Sequence, residues 1–306
     1  MLRLAELPDP VPGRAQALVS TRAIGVNFAD VYRRQGRYHL VGAPPYIAGY
    51  EAAGIVEWAP PGSGFSAGDR VAWADAPLSN AERVAVDVDR LIPLPDDIGF
   101  DTAAALLLQG LTAQYLVRDS HPLRAGEVAL VHAAAGGVGQ LLVQLCKERG
   151  ARVIALASTP AKCDIARAAG ADEAHTYEDD WVAAARRFGD GGVDVVYESI
   201  GTTLHASLEA ARTGGRVVFY GFAGGDPPSV DPRLLMDGSK SITGGDLWNV
   251  LRGAEDRRTR AAELFAHVRS GALRVAIDAR FPLADGAAAH AHLESRRAMG
   301  KVLLIP

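Results

Sequence analysis

One run, VALVHAAAGGVGQLLVQL over residues 128–145, constrains the fold of this chain more than any other. Val128–His132 reads as a short buried strand. Val138, Leu141, Leu142, Leu145 and Cys146 then recur at i, i+3, i+4, i+7 and i+8, the apolar face of a helix that Gly150 ends. Between strand and helix lies Ala134-x-Gly136-x-x-Gly139, the dinucleotide fingerprint with alanine at its first glycine position. Glycines there let the backbone approach a pyrophosphate, and the helix start supplies unbonded N–H groups and a favourable dipole. A glycine-rich turn can serve packing alone, but the flanking strand and amphipathic helix are the context that phosphate binding requires.

The alternation continues downstream. Val153–Ala157 reads as a second strand, Thr159 and Pro160 open a helix as N-cap and first residue, and Gly170 closes it. Further strands are legible at Val193–Tyr197, Arg216–Tyr220 and near Ile242. Such alternation predicts a parallel sheet with helices on both faces. NAD-binding folds place Asp or Glu at the end of the second strand to hold the ribose 2′-hydroxyl. Here the segment is Ala157-Ser158-Thr159-Pro160-Ala161-Lys162. With two hydroxyls, one cation and no carboxylate to repel a 2′-phosphate, it points to NADPH. Ser158 and Thr159 could equally cap the helix while Lys162 is solvated, and the two roles can coexist at one helix start.

The first hundred residues differ in texture. They read as short strands, Ala17–Ala23, Glu51–Trp58, Asp69–Trp73 and Arg83–Val86, punctuated by PPGSG, AGD and PDD. At Asp101 a long apolar helix begins, DTAAALLLQGLTAQYLV, with Asp101 as its expected N-cap. After about Leu247 the tail reads as helical and then briefly β, at Phe281 and Val302–Ile305, and is expected to complete the first unit.

At 306 residues, 48% hydrophobic and 22% charged, the chain can hold two ordinary domains and is too apolar for disorder. A formal net charge of −4 without a basic block offers no footprint for nucleic acid or anionic membrane. Cys146 and Cys163 stand apart from any CxxC or Cys/His cluster, which argues against a disulfide framework and a structural zinc lobe. No apolar run reaches the roughly 18–20 residues that span a bilayer. The start, MLRLAELPDPVPG, has no secretory pattern, so the cytosol is the expected location.

Six segments, GVNFADVYRRQGRY, GYEAAGIV, AGDRVA, HAAAGGVG, ARAAGADEAHTY and LESRRAMGKVLLIP, resemble the zinc-independent quinone oxidoreductases, the zeta-crystallin-like group of the medium-chain dehydrogenase/reductase superfamily. The resemblance keeps their order and spacing over essentially the whole chain. It implies an α/β fold: a Rossmann doubly wound parallel sheet over residues 109–246, and a GroES-like β-rich domain split in sequence between 1–108 and 247–306. In zinc-dependent alcohol dehydrogenases of the superfamily a cysteine stands at the place of Asn27 and a histidine at that of Tyr50. Glu51 remains, and alone it is expected to play a structural polar role. Lacking thiolate and imidazole donors, the site is expected to hold no metal.

The resemblance further implies that Asn27, Tyr32 and Tyr38 face the substrate and that Thr112 lies near the nicotinamide. Gly136, Gly137 and Val138 would hold the pyrophosphate, with Ser158, Lys162, Tyr177 and Arg296 around the adenosine 2′-phosphate. Tyr177 and Arg296 enter through the resemblance only; packing or a solvated face is the plain alternative for each. The chain also departs from the family. The family's first strand is expected to be absent, with Met1–Leu4 standing as its second. Gln109 occupies a place where several relatives carry lysine, and Glu198 replaces a common aspartate. The expected activity is metal-free transfer of hydride from NADPH to a quinone or to the β-carbon of an α,β-unsaturated carbonyl. Asn27 and Tyr32 would stabilise the resulting oxyanion. The alternatives are an enoyl reductase acting on acyl-thioester or polyketide intermediates, and a non-catalytic NADPH-binding protein. A homodimer joined along the Rossmann sheet edges is implied by the resemblance alone.

Overall fold

The computed structural model describes residues 2–38 and 45–306. It divides into two compact units, one of Met1–Leu111, Leu251–Gly271 and Val275–Pro306, the other of Thr112–Val250 and Ala272–Arg274.

The first unit is built on β1 (Gln16–Val26), whose residues alternate between buried and half-buried before the strand turns fully inward. At 11 residues the strand is long enough to serve several partners. β1 pairs antiparallel with β2 (Glu51–Trp58), with β4 (Arg83–Asp87) and with β13 (Lys301–Ile305). β3 (Arg70–Trp73) and β5 (Ile92–Pro93) extend the sheet beyond β2, and β12 (Ile277–Pro282) runs parallel to β13 at the other edge. The C-terminal strand thus closes the sheet that the N-terminal segment opens. Val19, Ile24, Val71, Trp73, Val302 and Leu304 are part of its core. The short helix α1 (Phe28–Arg34) follows β1 directly.

The helix α2 (Phe100–Tyr115) carries the chain across the boundary between the units, at Leu111/Thr112. It begins at Phe100, so Asp101 lies in the first turn and is not the N-cap expected from the sequence. There its carboxylate bonds Arg280 Nε at 2.7 Å, a favourable place for negative charge beside the helix dipole. Leu2–Leu4, expected as a strand, is irregular, and Leu4 is 63% exposed. A strand needs a neighbour's ladder, and the prolines at 8, 10 and 12 that follow offer no N–H to build one.

The second unit is a six-stranded, all-parallel sheet. Its members are β6 (Val128–Val131), β7 (Arg152–Ala157), β8 (Glu173–Thr176), β9 (Val193–Glu198), β10 (Ala211–Phe219) and β11 (Ser241–Gly244), in the spatial order β11-β10-β9-β6-β7-β8. This is the doubly wound order, which reverses direction between β6 and β9. The helices α3 (Gly137–Glu148), α4 (Pro160–Ala168), α5 (Trp181–Phe188) and α6 (Leu204–Ala210) cover the strands. All four residues of β6 are buried, as expected for a parallel strand covered on both faces. β8, inside ARAAGADEAHTY, is too short and polar to stand out in the sequence. Among the described residues no helix is long and apolar enough to cross a membrane.

Candidate active site

Ligands of doubly wound sheets bind beyond the carboxyl ends of the strands, where the order reverses. In this chain that point is the β6–α3 turn. Ala133 adopts a left-handed φ of 47°, and its carbonyl accepts from the Gly136 N–H at 2.8 Å. Gly136 is the N-cap of α3, and Gly137, Val138 and Gly139 form its first turn. A Cβ on Gly139 would stand 2.3 Å from the Ala133 carbonyl oxygen, so only glycine lets the helix start this close to the turn. Gly136, Gly137 and Val138 are partly exposed, and Gly137 and Val138 offer the amides of a helix start, the Gly136 N–H being taken by Ala133 O. This cradle fits a pyrophosphate.

At the end of β7, Thr159 caps α4 by accepting from the Lys162 N–H. Ser158 is exposed and Lys162 half-buried, on the same helix start. No carboxylate follows β7 before Asp164. Tyr177, just past β8, turns its hydroxyl toward β6: Ala133 N–H donates to it at 3.0 Å, and His132 Nδ1 lies 3.3 Å away.

His132 and Glu198 sit at the carboxyl ends of adjacent strands, both fully buried. His132 Nε2 lies 2.9 Å from Ser207 Oγ, which donates to Glu198 Oε2 at 2.5 Å. Glu198 also accepts from the Ile200 and Gly201 amides and from Thr203 Oγ1. Burial lowers the His132 value, against the pull of Glu198. Burial pushes Glu198 up, but His132 and these donors outweigh it and hold the carboxyl below its usual range. Glu198 was singled out in the sequence, but its contacts to His132, Ser207 and Thr203 were not visible there.

In the first unit, Asn27 ends β1 and is the N-cap of α1. Its Nδ2 hydrogens go to Glu51 Oε2 at 2.9 Å and Gly25 O at 3.2 Å. Its Oδ1 accepts from Lys301 Nζ at 2.7 Å and from Gln109 Nε2 at 3.4 Å. Lys301 Nζ also donates to Glu51 Oε2 at 2.5 Å, while Glu51 Oε1 accepts from the Leu108 N–H at 2.7 Å. Asp30 Oδ2 accepts from the Asn27 N–H, and its Oδ1 is buried without a hydrogen-bond partner. Burial pushes the Asp30 carboxyl up to about 7, against the Asn27 amide, Lys301 and Arg33, which pull it down.

Tyr32 lies on α1, and its ring meets Phe28 at 6.0 Å and Tyr38 edge-on at 6.1 Å. The fold therefore brings Tyr32 and Tyr38 together. Thr112 is buried on α2, and Arg296 is exposed past the end of the helix Gly286–Glu294 with a left-handed φ of 59°. Lys301 is the residue the sequence reading missed. Its signal is a charged residue opening the otherwise apolar strand KVLLI.

The doubly wound sheet with its glycine turn, on a chain whose other unit is a largely antiparallel sheet, defines the medium-chain dehydrogenase/reductase class. Residues 13–125 match the alcohol dehydrogenase GroES-like domain, and residues 137–266 the zinc-binding dehydrogenase domain. The chain is similar to the quinone oxidoreductase of Pseudomonas aeruginosa, 40% identical over 96% of this chain and 92% of that one. It is similar to the 2-haloacrylate reductase of a Burkholderia species, 38% identical over the same shares. The structure of Escherichia coli quinone oxidoreductase complexed with NADPH superposes with a TM-score of 0.94 at 34% identity, covering 99% of this chain and 95% of that one. The chain belongs to the quinone oxidoreductase family of the medium-chain dehydrogenase/reductase superfamily.

One domain description names zinc, and the residues here do not fit it. Glu51 is engaged by Lys301 and Asn27, and among the described residues no three His, Cys, Asp or Glu side chains are placed to hold a metal ion.

Proposed function

We propose that this chain is an NADPH-dependent reductase that passes hydride to quinones or to the β-carbon of α,β-unsaturated carbonyls without a metal. The observation that carries the reading is the β6–α3 turn followed, at the end of β7, by hydroxyls and Lys162 where an NAD enzyme would present a carboxylate. The relatives point the same way. One is named for quinones, one for a halogenated acrylate, which is an activated alkene, and a neighbouring structure holds NADPH.

Gly136, Gly137 and Val138 would hold the pyrophosphate, with the Gly137 and Val138 amides as donors, and Ser158 and Lys162 would hold the 2′-phosphate, with Arg296 as a further cation toward it. Thr112 is the nicotinamide-facing residue. When bound, NADPH supplies a hydride from the nicotinamide C4. Asn27, Tyr32 and Tyr38 face the acceptor, whose oxygen gathers negative charge as the hydride arrives. Tyr32 donates a hydrogen bond to that oxygen and competes with water to deliver the proton. For Asn27 to donate as well, one amide hydrogen must leave Gly25 O, the longer of its two bonds. A cytosolic location is part of the same proposal. The chain is proposed to dimerise along the edges of the parallel sheet, where β11 pairs with β10 alone among the described residues.

An acceptor panel of 1,4-benzoquinone, 9,10-phenanthrenequinone, 2-chloroacrylate and crotonyl thioesters tests this reading through NADPH consumption. Turnover of quinones or of the free acrylate supports it. Turnover of thioesters alone makes the protein an enoyl reductase, and NADPH binding with no turnover makes it a non-catalytic binder.

A further inference from the structure

We propose that Gln109 is a further catalytic residue, an amide donor that holds the acceptor's developing oxyanion with the second hydrogen of its Nε2. The proposal rests on the reading of the surroundings of Asn27 as the acceptor site.

α2 is pressed against the first sheet where Gln109 lies. A Cβ on Gly25 would stand 2.3 Å from the Ala104 carbonyl oxygen, and Leu108, next to Gln109, donates its N–H to Glu51 Oε1 at 2.7 Å. Gln109 is thereby held beside Asn27, and the charges around Asn27 decide which way both amides turn. Lys301 Nζ requires an oxygen and Glu51 Oε2 a hydrogen, so Asn27 gives Oδ1 to the ammonium and Nδ2 to the carboxylate. Gln109 meets that same Oδ1 at 3.4 Å and must present its NH2 group to it.

A primary amide has two hydrogens and two lone pairs to place. Asn27 has placed all four, on Glu51, the Gly25 carbonyl, Lys301 and Gln109. Gln109 Nε2 has placed one hydrogen, in the longest bond of this cluster, and its second has no partner among the described residues. Gln109 is also the most exposed of the four side chains, at 9% against 3% for Asn27, 1% for Lys301 and 0% for Glu51. Charge favours it too. An oxyanion drawn to Asn27 Nδ2 would approach the Glu51 carboxylate that Nδ2 already serves, whereas one held by Gln109 lies on the Oδ1 side, toward the Lys301 ammonium. As hydride adds to the acceptor, the acceptor oxygen takes the electron pair displaced from the π bond and becomes the oxyanion. Gln109 donates a hydrogen bond to it and keeps its proton, while Tyr32 or water supplies the proton that completes the reduction.

Gln109→Leu removes both polar atoms at similar volume. It is expected to lower kcat for 9,10-phenanthrenequinone about 100-fold, the worth of one oxyanion donor, and to leave NADPH affinity near that of the unaltered chain by fluorescence. Binding of 4-nitrophenolate, measured without NADPH, reads the same hydrogen bond without turnover and should weaken about tenfold in this variant. Gln109→Glu puts in place of the amide a carboxyl that donates only when protonated. Its kcat relative to the unaltered chain is expected to be low at pH 8 and to climb as pH falls to 5. The charged groups around the cluster, Asp30 and Arg33 on α1, Glu51 on β2 and Lys301 on β13, are common to both proteins, so the ratio isolates the substitution. An unchanged kcat in Gln109→Leu overturns the proposal, as does a loss of NADPH affinity in step with kcat. A pH-independent ratio for Gln109→Glu overturns it even if Gln109→Leu fails to fold. If the unaltered chain reduces no acceptor, the reading of the acceptor site itself fails.

Discussion

Lys301 aims its ammonium at Asn27 and Glu51 together, 2.7 Å from Asn27 Oδ1 and 2.5 Å from Glu51 Oε2, with all three side chains buried. The opposite characters of the two neighbours leave no ambiguity in the amide. Asn27 must present oxygen to the ammonium and nitrogen to the carboxylate. A protein cation therefore neutralises the Glu51 carboxylate.

Removing one partner of a buried pair leaves the other charge uncompensated, at a cost of about 3–5 kcal/mol. Lys301→Met is expected to lose that much stability in urea unfolding at neutral pH. Adding Glu51→Gln should recover most of the loss, because no buried charge then remains. A double variant as unstable as the single one would show that Lys301 matters for packing and not for charge.

Asp30 adds a pH dependence of opposite sign to that of a salt-bridged carboxylate. Its folded value of about 7 lies above the ordinary 3.8, so between those pH values the folded chain holds a proton that the unfolded chain has released. Stability from this group is present in full below 3.8 and is lost as pH rises through about 7. Asp30→Asn can still accept the Asn27 N–H and no longer titrates. Urea midpoints from pH 5 to 8 should place the variant progressively above the parent as pH rises. A constant gap would contradict the assignment. The comparison must be between the two proteins, because His290, lowered to about 4 mainly by burial, contributes a trend of the other sign.

Glycine is required at one point of the phosphate turn more than at another. A Cβ on Gly139 would meet the Ala133 oxygen at 2.3 Å, whereas on Gly136 it would meet that atom at 3.1 Å. Gly136 also has an ordinary φ of −78°. Gly139→Ala should abolish dinucleotide binding measured by fluorescence, and Gly136→Ala should weaken it modestly. The reverse order would mean that the turn is shaped differently.

Cofactor selectivity is assigned to the start of α4. Lys162→Ala should weaken NADPH binding by about 10- to 100-fold, the worth of a hydrogen bond to a charged group, and leave NADH nearly unchanged. Equal losses would remove Lys162 from the 2′-phosphate.

The sequence exposes features set by short-range rules. The β6–α3 turn, the Thr159 cap and the alternation of the parallel sheet were legible because strand, turn and helix signals lie within a few residues of one another. The N-cap was placed too late, at Asp101, because a helix start has several acceptable acidic positions; Asp101 lies in the first turn and pairs with Arg280. Lys301 could not be linked to Asn27 and Glu51, which precede it by 274 and 250 residues. No periodicity reports a contact between the last strand of a split sheet and its first. The bond from Tyr177 to Ala133 was hidden for a related reason. A tyrosine after β8 reaches the end of β6 because a single strand, β7, lies between the two in the sheet, and sheet order is not written in local pattern.

The central claim is metal-free, NADPH-selective reduction. Its most direct test is steady-state oxidation of NADPH and of NADH with 9,10-phenanthrenequinone by the unaltered protein in excess chelator. The account predicts sustained turnover with NADPH, undiminished by chelator, and much poorer kcat/KM with NADH. Activity that chelator abolishes, or equal use of the two dinucleotides, would contradict it.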